Sequence, residues 1–147
     1  MTKRLLLGYL TITVLVLVLL EVPLALFYSQ RELDRLTSGV ERDATVIASI
    51  YEDDLQTGLP PDPRAAVLYT ARTGARVVVT NAVGIAVSDT EQTVPRDFST
   101  RPEIATALSG RRAAGTRRSA TLGSDFVFVA IPVTSSGVVH GTVRLTL

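Results

Sequence analysis

The first patterned feature of the chain is an apolar run from Leu5 to Phe27, in which Glu21 is the one charged residue. As a helix these residues extend roughly 34 Å at ~1.5 Å per residue, enough to cross a hydrocarbon core of ~30 Å. A secretory leader has a shorter core and ends in a small-x-small pair, which "ALFYSQ" lacks. The run therefore predicts a retained single-pass anchor. Lys3 and Arg4 precede it and charges of mixed sign follow, so the positive-inside rule places the N-terminus in the cytoplasm and everything after Phe27 outside. Glu21 falls in the outer third of that span, where a lipid-exposed carboxyl costs about 1–3 kcal/mol. Two readings of it stand. Either it reaches the headgroup region, helped by a bend at Pro23, or it faces another transmembrane helix along a packing and signalling seam.

Beyond the run, Leu33, Leu36, Val40, Ala44, Ile47, Tyr51 and Leu55 recur at helical spacing, which predicts one long stalk helix from Ser29 to Leu55. Its stripe has to bury against its own domain, a parallel partner helix, or both. "TGLPPDP" (Thr57–Pro63) stops that helix. Arg64–Thr73 is short, with Ala65, Ala66, Leu68 and Tyr69 suggesting one or two helical turns. The period then changes to two. Val77–Thr80 and Ile85–Ser88 predict a hairpin about Asn81–Gly84. In "FSTRPEIATALSG", Thr100 followed by Glu103 has the spacing of a capping box, Pro102 suits the first turn and Gly110 marks the stop. Three strands are predicted beyond it, at Gly115–Leu122, Asp125–Val133 and Val138–Leu145, separated by "GSD" and "SSG" turns.

Composition narrows the functional classes. A net charge of +1 and only 5% aromatic residues leave little footprint for nucleic acid. The absence of cysteine excludes a disulfide framework and Cys-based zinc or thiol chemistry. No phosphate loop and no Gly-x-Ser-x-Gly elbow occurs, and the acids are too scattered to suggest a metal, so no catalytic residue and no cofactor is assigned.

The order of elements, a long helix leading into a five-stranded antiparallel sheet with a short helix between strands two and three, is PAS-like. "VVVTNAVGIAVSDTE", "RDFSTRPEIATALSGR", "GTRRSATLGSDFVFVAIPV" and "GVVHGTVRLTL" resemble the external Cache (PDC-type) sensor domains of bacterial two-component sensor histidine kinases. "RLLLGYLTITVLVLVLLEVPLALFYSQRELDRL" resembles the first transmembrane segment and stalk of such kinases in actinobacterial style. The resemblance implies an α+β organisation in three parts: a cytoplasmic tip and span over 1–28, a stalk over 29–56 and an external PAS-like sensor domain over 57–147. It also implies a homodimer formed through the transmembrane and stalk helices, a membrane location and a small-molecule ligand. Within these residues there is no second apolar run and no kinase motif, so the expected role is the sensor side of a kinase whose catalytic core lies elsewhere. A stand-alone membrane-anchored accessory protein is the alternative.

In resembling domains ligands bind between the sheet and the helix-bearing loops, which points here to Asp97–Pro102. Arg101 is the leading candidate, a guanidinium at a helix start being suited to a carboxylate or phosphate, with Ser99 and Thr100 beside it. Its alternative is a solvated arginine or a pair with Asp97. Arg117 and Arg118 point to opposite faces of their strand, and Arg117 is the one assigned to the ligand. With Arg111 and Arg112 they form a basic patch. His140 is a candidate pH sensor or ligand contact, set against an ordinary structural histidine. Phe126 and Phe128 share a strand face and are read as core.

Overall fold

The computed structural model describes the backbone of residues 2–118 and 125–147, and side chains outside 1–6, 22–37 and 118–125. The chain divides into two units, Met1–Leu36 and Thr37–Leu147. Helix α1 runs Thr2–Ile50. In the first unit the described side chains from Leu7 to Glu21 are exposed, and the hydroxyls of Thr11 and Thr13 donate to the carbonyls of Leu7 and Tyr9, each at 2.8 Å.

No helix among the described residues is long and apolar enough to cross a membrane. The expectations of an N-terminal transmembrane helix and of a single-pass membrane location are corrected accordingly. Glu21 is an exposed helical residue. The side chains of Pro23, Leu33 and Leu36 lie outside the described residues.

In the second unit the stripe predicted for the stalk is buried against its own domain from Val40 onward. Val40, Ala44, Ile47, Ala48 and Tyr51 pack with Ala66 against one face of a sheet. The helix does not continue to Leu55 unbroken. At Tyr51 the backbone leaves helical geometry (φ −92°, ψ 0°), and α2 (Glu52–Thr57) follows as a separate segment. Tyr51 is fully buried and its hydroxyl accepts the Ala66 amide at 3.2 Å, which ties the break to the start of α3 (Arg64–Thr73). Tyr69 of α3 donates to Asp43 of α1 at 2.9 Å; burial first, and then that carboxylate, push the Tyr69 phenol up to about 12.

The sheet has six antiparallel strands: β1 (Arg76–Asn81), β2 (Ile85–Asp89), β3 (Arg96–Asp97), β4 (Ala113–Arg118), β5 (Asp125–Ser135) and β6 (Val138–Thr146). Their spatial order is β3-β2-β1-β6-β5-β4. The expected count of five is corrected by β3, a two-residue strand on the outer edge of β2, pairing Ile85 with Asp97 and Ala86 with Arg96. Two residues are too few to show a period of two, so this strand leaves no sequence signal. The β1–β2 turn forms as its residues dictate. Asn81 Oδ1 accepts the amides of Val83 and Ile85, and Gly84 takes the left-handed conformation (φ +85°) that a side chain would resist. The predicted strand from Gly115 is observed from Ala113, and its residues 119–122 lie outside the described backbone.

Alternation sends the strand residues to two cores. Val77, Val79, Val129, Val133, Val143 and Leu145 face α1 and α3, while Val78 and Ala86 face Phe98, Ile104 and Leu108 on the side of α4 (Pro102–Leu108). Thr80 and Thr142, both fully buried, satisfy each other through a 2.8 Å hydroxyl contact.

Candidate functional site

On the α4 face, a groove of about 330 Å³ opens between α4 and the outer strands β4 and β5. Pro102, Glu103 and Thr106 line it from the helix, Ala113, Ala114, Thr116 and Arg117 from β4, and Phe128 from β5. The register explains its floor. Gly115 pairs with Phe128, and a Cβ on Gly115 would come within 2.9 Å of the ring's Cζ, so the missing side chain is what lets the ring lie across β4.

The inner end of the groove is set by a buried ion pair. Arg144 Nε of β6 approaches Glu103 Oε1 to 3.1 Å, with the two side chains only 7% and 5% exposed. The distance makes a charge contact but the direction does not make a hydrogen bond, and both atoms are buried without a hydrogen-bond partner. Thr146 Oγ1 on the same face of β6 is likewise unsatisfied. Arg101 reaches the same carboxylate oxygen at 3.9 Å and stacks over Phe98 at 5.0 Å, while Arg144 stacks over Phe128 at 5.9 Å. Burial pulls the Arg144 guanidinium below the ordinary arginine range. Glu103 counters that shift, and Arg101, Arg76 and Arg117 add to it. Arg76 itself is held in a fork by Asp89, at 3.0 and 2.6 Å, with Glu91 at 3.5 Å.

The residues singled out from the sequence separate on this framework. Arg117 lines the groove, and Arg101 stands beside it as the extended residue (φ −78°, ψ 126°) that precedes α4. Thr100 is exposed, and Ser99 is half-buried with its amide donating to Asp97 at 2.8 Å. Neither lines the groove. His140 sits in β6 where the pairing with β5 shifts register between Val133 and Thr134, four residues from Arg144 or roughly 13 Å along a strand. The expected capping box is absent, since Arg101 rather than Thr100 precedes the helix and no side chain caps it. Glu103 turns into the sheet instead. Arg112 of the basic patch leaves the groove and pairs with Glu41 of α1.

Sequence reasoning took Glu103 for a helix cap and Phe128 for core, and it passed over Arg144. The signal for Phe128 was its register partner Gly115, a strand glycine that marks close approach. Arg144 stood out as a charge inside the otherwise apolar "VRL" of a strand end, a setting in which a paired or functional arginine is the rule.

No protein-family profile matches the chain, and no curated protein matches it by sequence. Solved structures do match. The sensor domain of E. coli DcuS aligns with a TM-score of 0.64 and 21% identity, over 78% of this chain and 90% of that one. The sensor domain of the V. cholerae histidine kinase DctB aligns at 0.53 and 17%, over 84% of this chain and 55% of that one. The ligand-binding domain of the Campylobacter jejuni chemoreceptor Tlp3, in complex with L-valine, aligns at 0.61 and 11%, over 83% and 56%. This chain therefore spans about half the length of the latter two. At these identities the likeness is one of fold alone, the fold that the DcuS, DctB and Tlp3 domains share.

Proposed function

We propose that the chain is the ligand-sensing module of a signal-transduction protein, and that the groove between α4 and the β4–β5 edge takes a small molecule bearing a carboxylate or similar anionic group. The observation that carries this reading is the charge around the groove. Arg117 stands on its wall, and Arg144 and Arg101 stand behind the groove-lining Glu103 at 3.1 and 3.9 Å from its carboxylate. A guanidinium fork matches a carboxylate, and the half-buried Phe128 ring supplies an apolar floor for the rest of a ligand. The fold adds support, because the Tlp3 domain of the same architecture is in complex with L-valine, a molecule that presents a carboxylate.

The reading extends to output. Alternation along β5 puts Phe128 in the groove and Val129 in the core beneath α1, and the Arg112–Glu41 pair joins the start of β4 to α1. A ligand that shifts Phe128 or β4 thus acts on contacts held by α1, which serves as the output helix. A second copy of α1 in a homodimer, and a histidine kinase core beyond it, are the receiving elements in this scheme. Selection between two packings of sheet on helix is the means.

The test is isothermal titration of the full chain with a panel of small carboxylates and phosphates at constant ionic strength, repeated with Arg117→Ala. A charge-assisted hydrogen bond contributes about 1.5–3 kcal/mol, so the variant is expected to bind at least about tenfold more weakly. Absence of binding across the panel, or equal binding by Arg117→Ala, overturns the reading.

A further inference from the structure

Glu103 is a carboxylate placed where an anion-binding groove has least use for one. It lines the groove, its side chain is 5% exposed, and its Oε1 lies between Arg144 at 3.1 Å and Arg101 at 3.9 Å without a hydrogen bond to either. Arg76, which also acts on Arg144, already has Asp89 and Glu91 as counter-ions. Arg117 has no carboxylate partner among the described residues. Two guanidiniums thus share one carboxylate, while Arg117, on the same groove, is left without one.

We propose that Glu103 is the charge selector of the groove: it fills the inner anion position on Arg144 and Arg101, leaves Arg117 as the guanidinium that meets a ligand, and so restricts the site to molecules presenting a single anionic group. The inference rests on the groove being an anion site, as proposed above. A second carboxylate on a ligand would reach the inner end and meet Glu103 there instead of a guanidinium. Like charges forced together in a desolvated site penalise the wrong partner, which is the means by which binding sites select against a competitor. The misaligned contact with Arg144 fits a tethered anion that fills this position by charge, without an optimised hydrogen bond of its own.

The experiment is calorimetric titration of the full chain with butyrate, succinate and tricarballylate, which carry one, two and three carboxylates, at constant ionic strength. Wild type is expected to bind succinate and tricarballylate no more tightly than butyrate, whereas Glu103→Gln is expected to raise the succinate-to-butyrate affinity ratio by about tenfold or more. Arg117→Gln, at an exposed position, is expected to weaken all three. Should Glu103→Gln fail to fold because Arg144 is left buried without a counter-ion, the double variant Glu103→Gln/Arg144→Met makes the same comparison, since Arg101 is released in both. An unchanged succinate-to-butyrate ratio in the folded variant, with binding intact, overturns the selector and leaves the anion site standing. Absence of binding by wild type and variants alike overturns both.

Discussion

Replacing Gly141 by alanine tests the packing that joins the sheet to α2. Gly141 sits in β6 opposite Asn81 of β1 and Val133 of β5, on the face covered by α1 and α2. A Cβ there would lie 2.0 Å from the Thr80 carbonyl oxygen, 3.1 Å from its carbon and 3.0 Å from Leu55 Cδ1. Carbon–oxygen contacts in sheets settle at ~3.3–3.6 Å, so β1 and β6 must part by more than about 1 Å. The atom met is backbone, so no side-chain rotation relieves the clash. Parting the strands strains the ladder around Thr80 and Thr142, together with their buried hydroxyl contact, and pushes Leu55 out of its seat. Weakened hydrogen bonds and overpacking together give a cost of about 3–5 kcal/mol. Against a total stability of ~5–15 kcal/mol and a urea m-value of ~1–3 kcal/mol/M, the midpoint should fall by about 2 M. Urea titration of the full chain followed by far-UV circular dichroism reads this directly. A midpoint within about 0.3 M of wild type would show that the close approach of β1, β6 and Leu55 is not as described.

Gly115→Ala is the instructive contrast, since its new Cβ meets the far end of the Phe128 ring at 2.9 Å rather than backbone. The ring swings into the groove, so stability should drop by less than about 1 kcal/mol while affinity for the groove ligand falls severalfold, as paired urea melts and titrations would register. Tyr51→Phe leaves the Ala66 amide without its acceptor inside the core; a buried unsatisfied donor costs about 1–3 kcal/mol, read as a melting point lower by roughly 3–8 °C. Asp89 supplies an acid limb. Burial pushes its carboxyl up, but the Arg76 fork, the Glu91 amide and the Arg76 charge outweigh this and hold it below the ordinary carboxylate range. A depressed native value stabilises the fold above about pH 4, and that stabilisation is lost as pH falls through the depressed value. Asp89→Asn should therefore flatten the melting point against pH on the acid side, as thermal melts through that range would record.

Much of the fold was legible because its elements are written locally. The stripe from Val40 to Tyr51 announced an amphipathic helix, Asn81 and Gly84 announced the first hairpin, and apolar runs bounded by the "GSD" and "SSG" turns announced β5 and β6. Errors came where the decisive quantity was not local. The break at Tyr51 follows from a hydroxyl that has to reach an amide fifteen residues on, which no periodicity encodes. The two residues of β3 become a strand only because β2 offers a free edge. At the N-terminus a count of apolar residues suggested a span, while no helix among the described residues is long and apolar enough to cross a membrane.

The site was less legible than the fold, and Glu103 shows why. Three residues after a threonine and just behind a proline, its position satisfies every local rule for a reciprocal helix cap, a role worth on the order of 1 kcal/mol in solvent. The fold assigns it elsewhere, because Arg144 arrives beneath it from a strand 41 positions later in the chain. Once buried, that guanidinium loses far more free energy without a counter-ion than a short helix loses without a cap. The tertiary demand therefore outweighs the local preference, and the carboxylate turns inward. The same inequality gives the groove its character. A cap can be supplied by water, but the charge balance over Arg144 and Arg101 can be supplied only by Glu103 or by a molecule that takes its place.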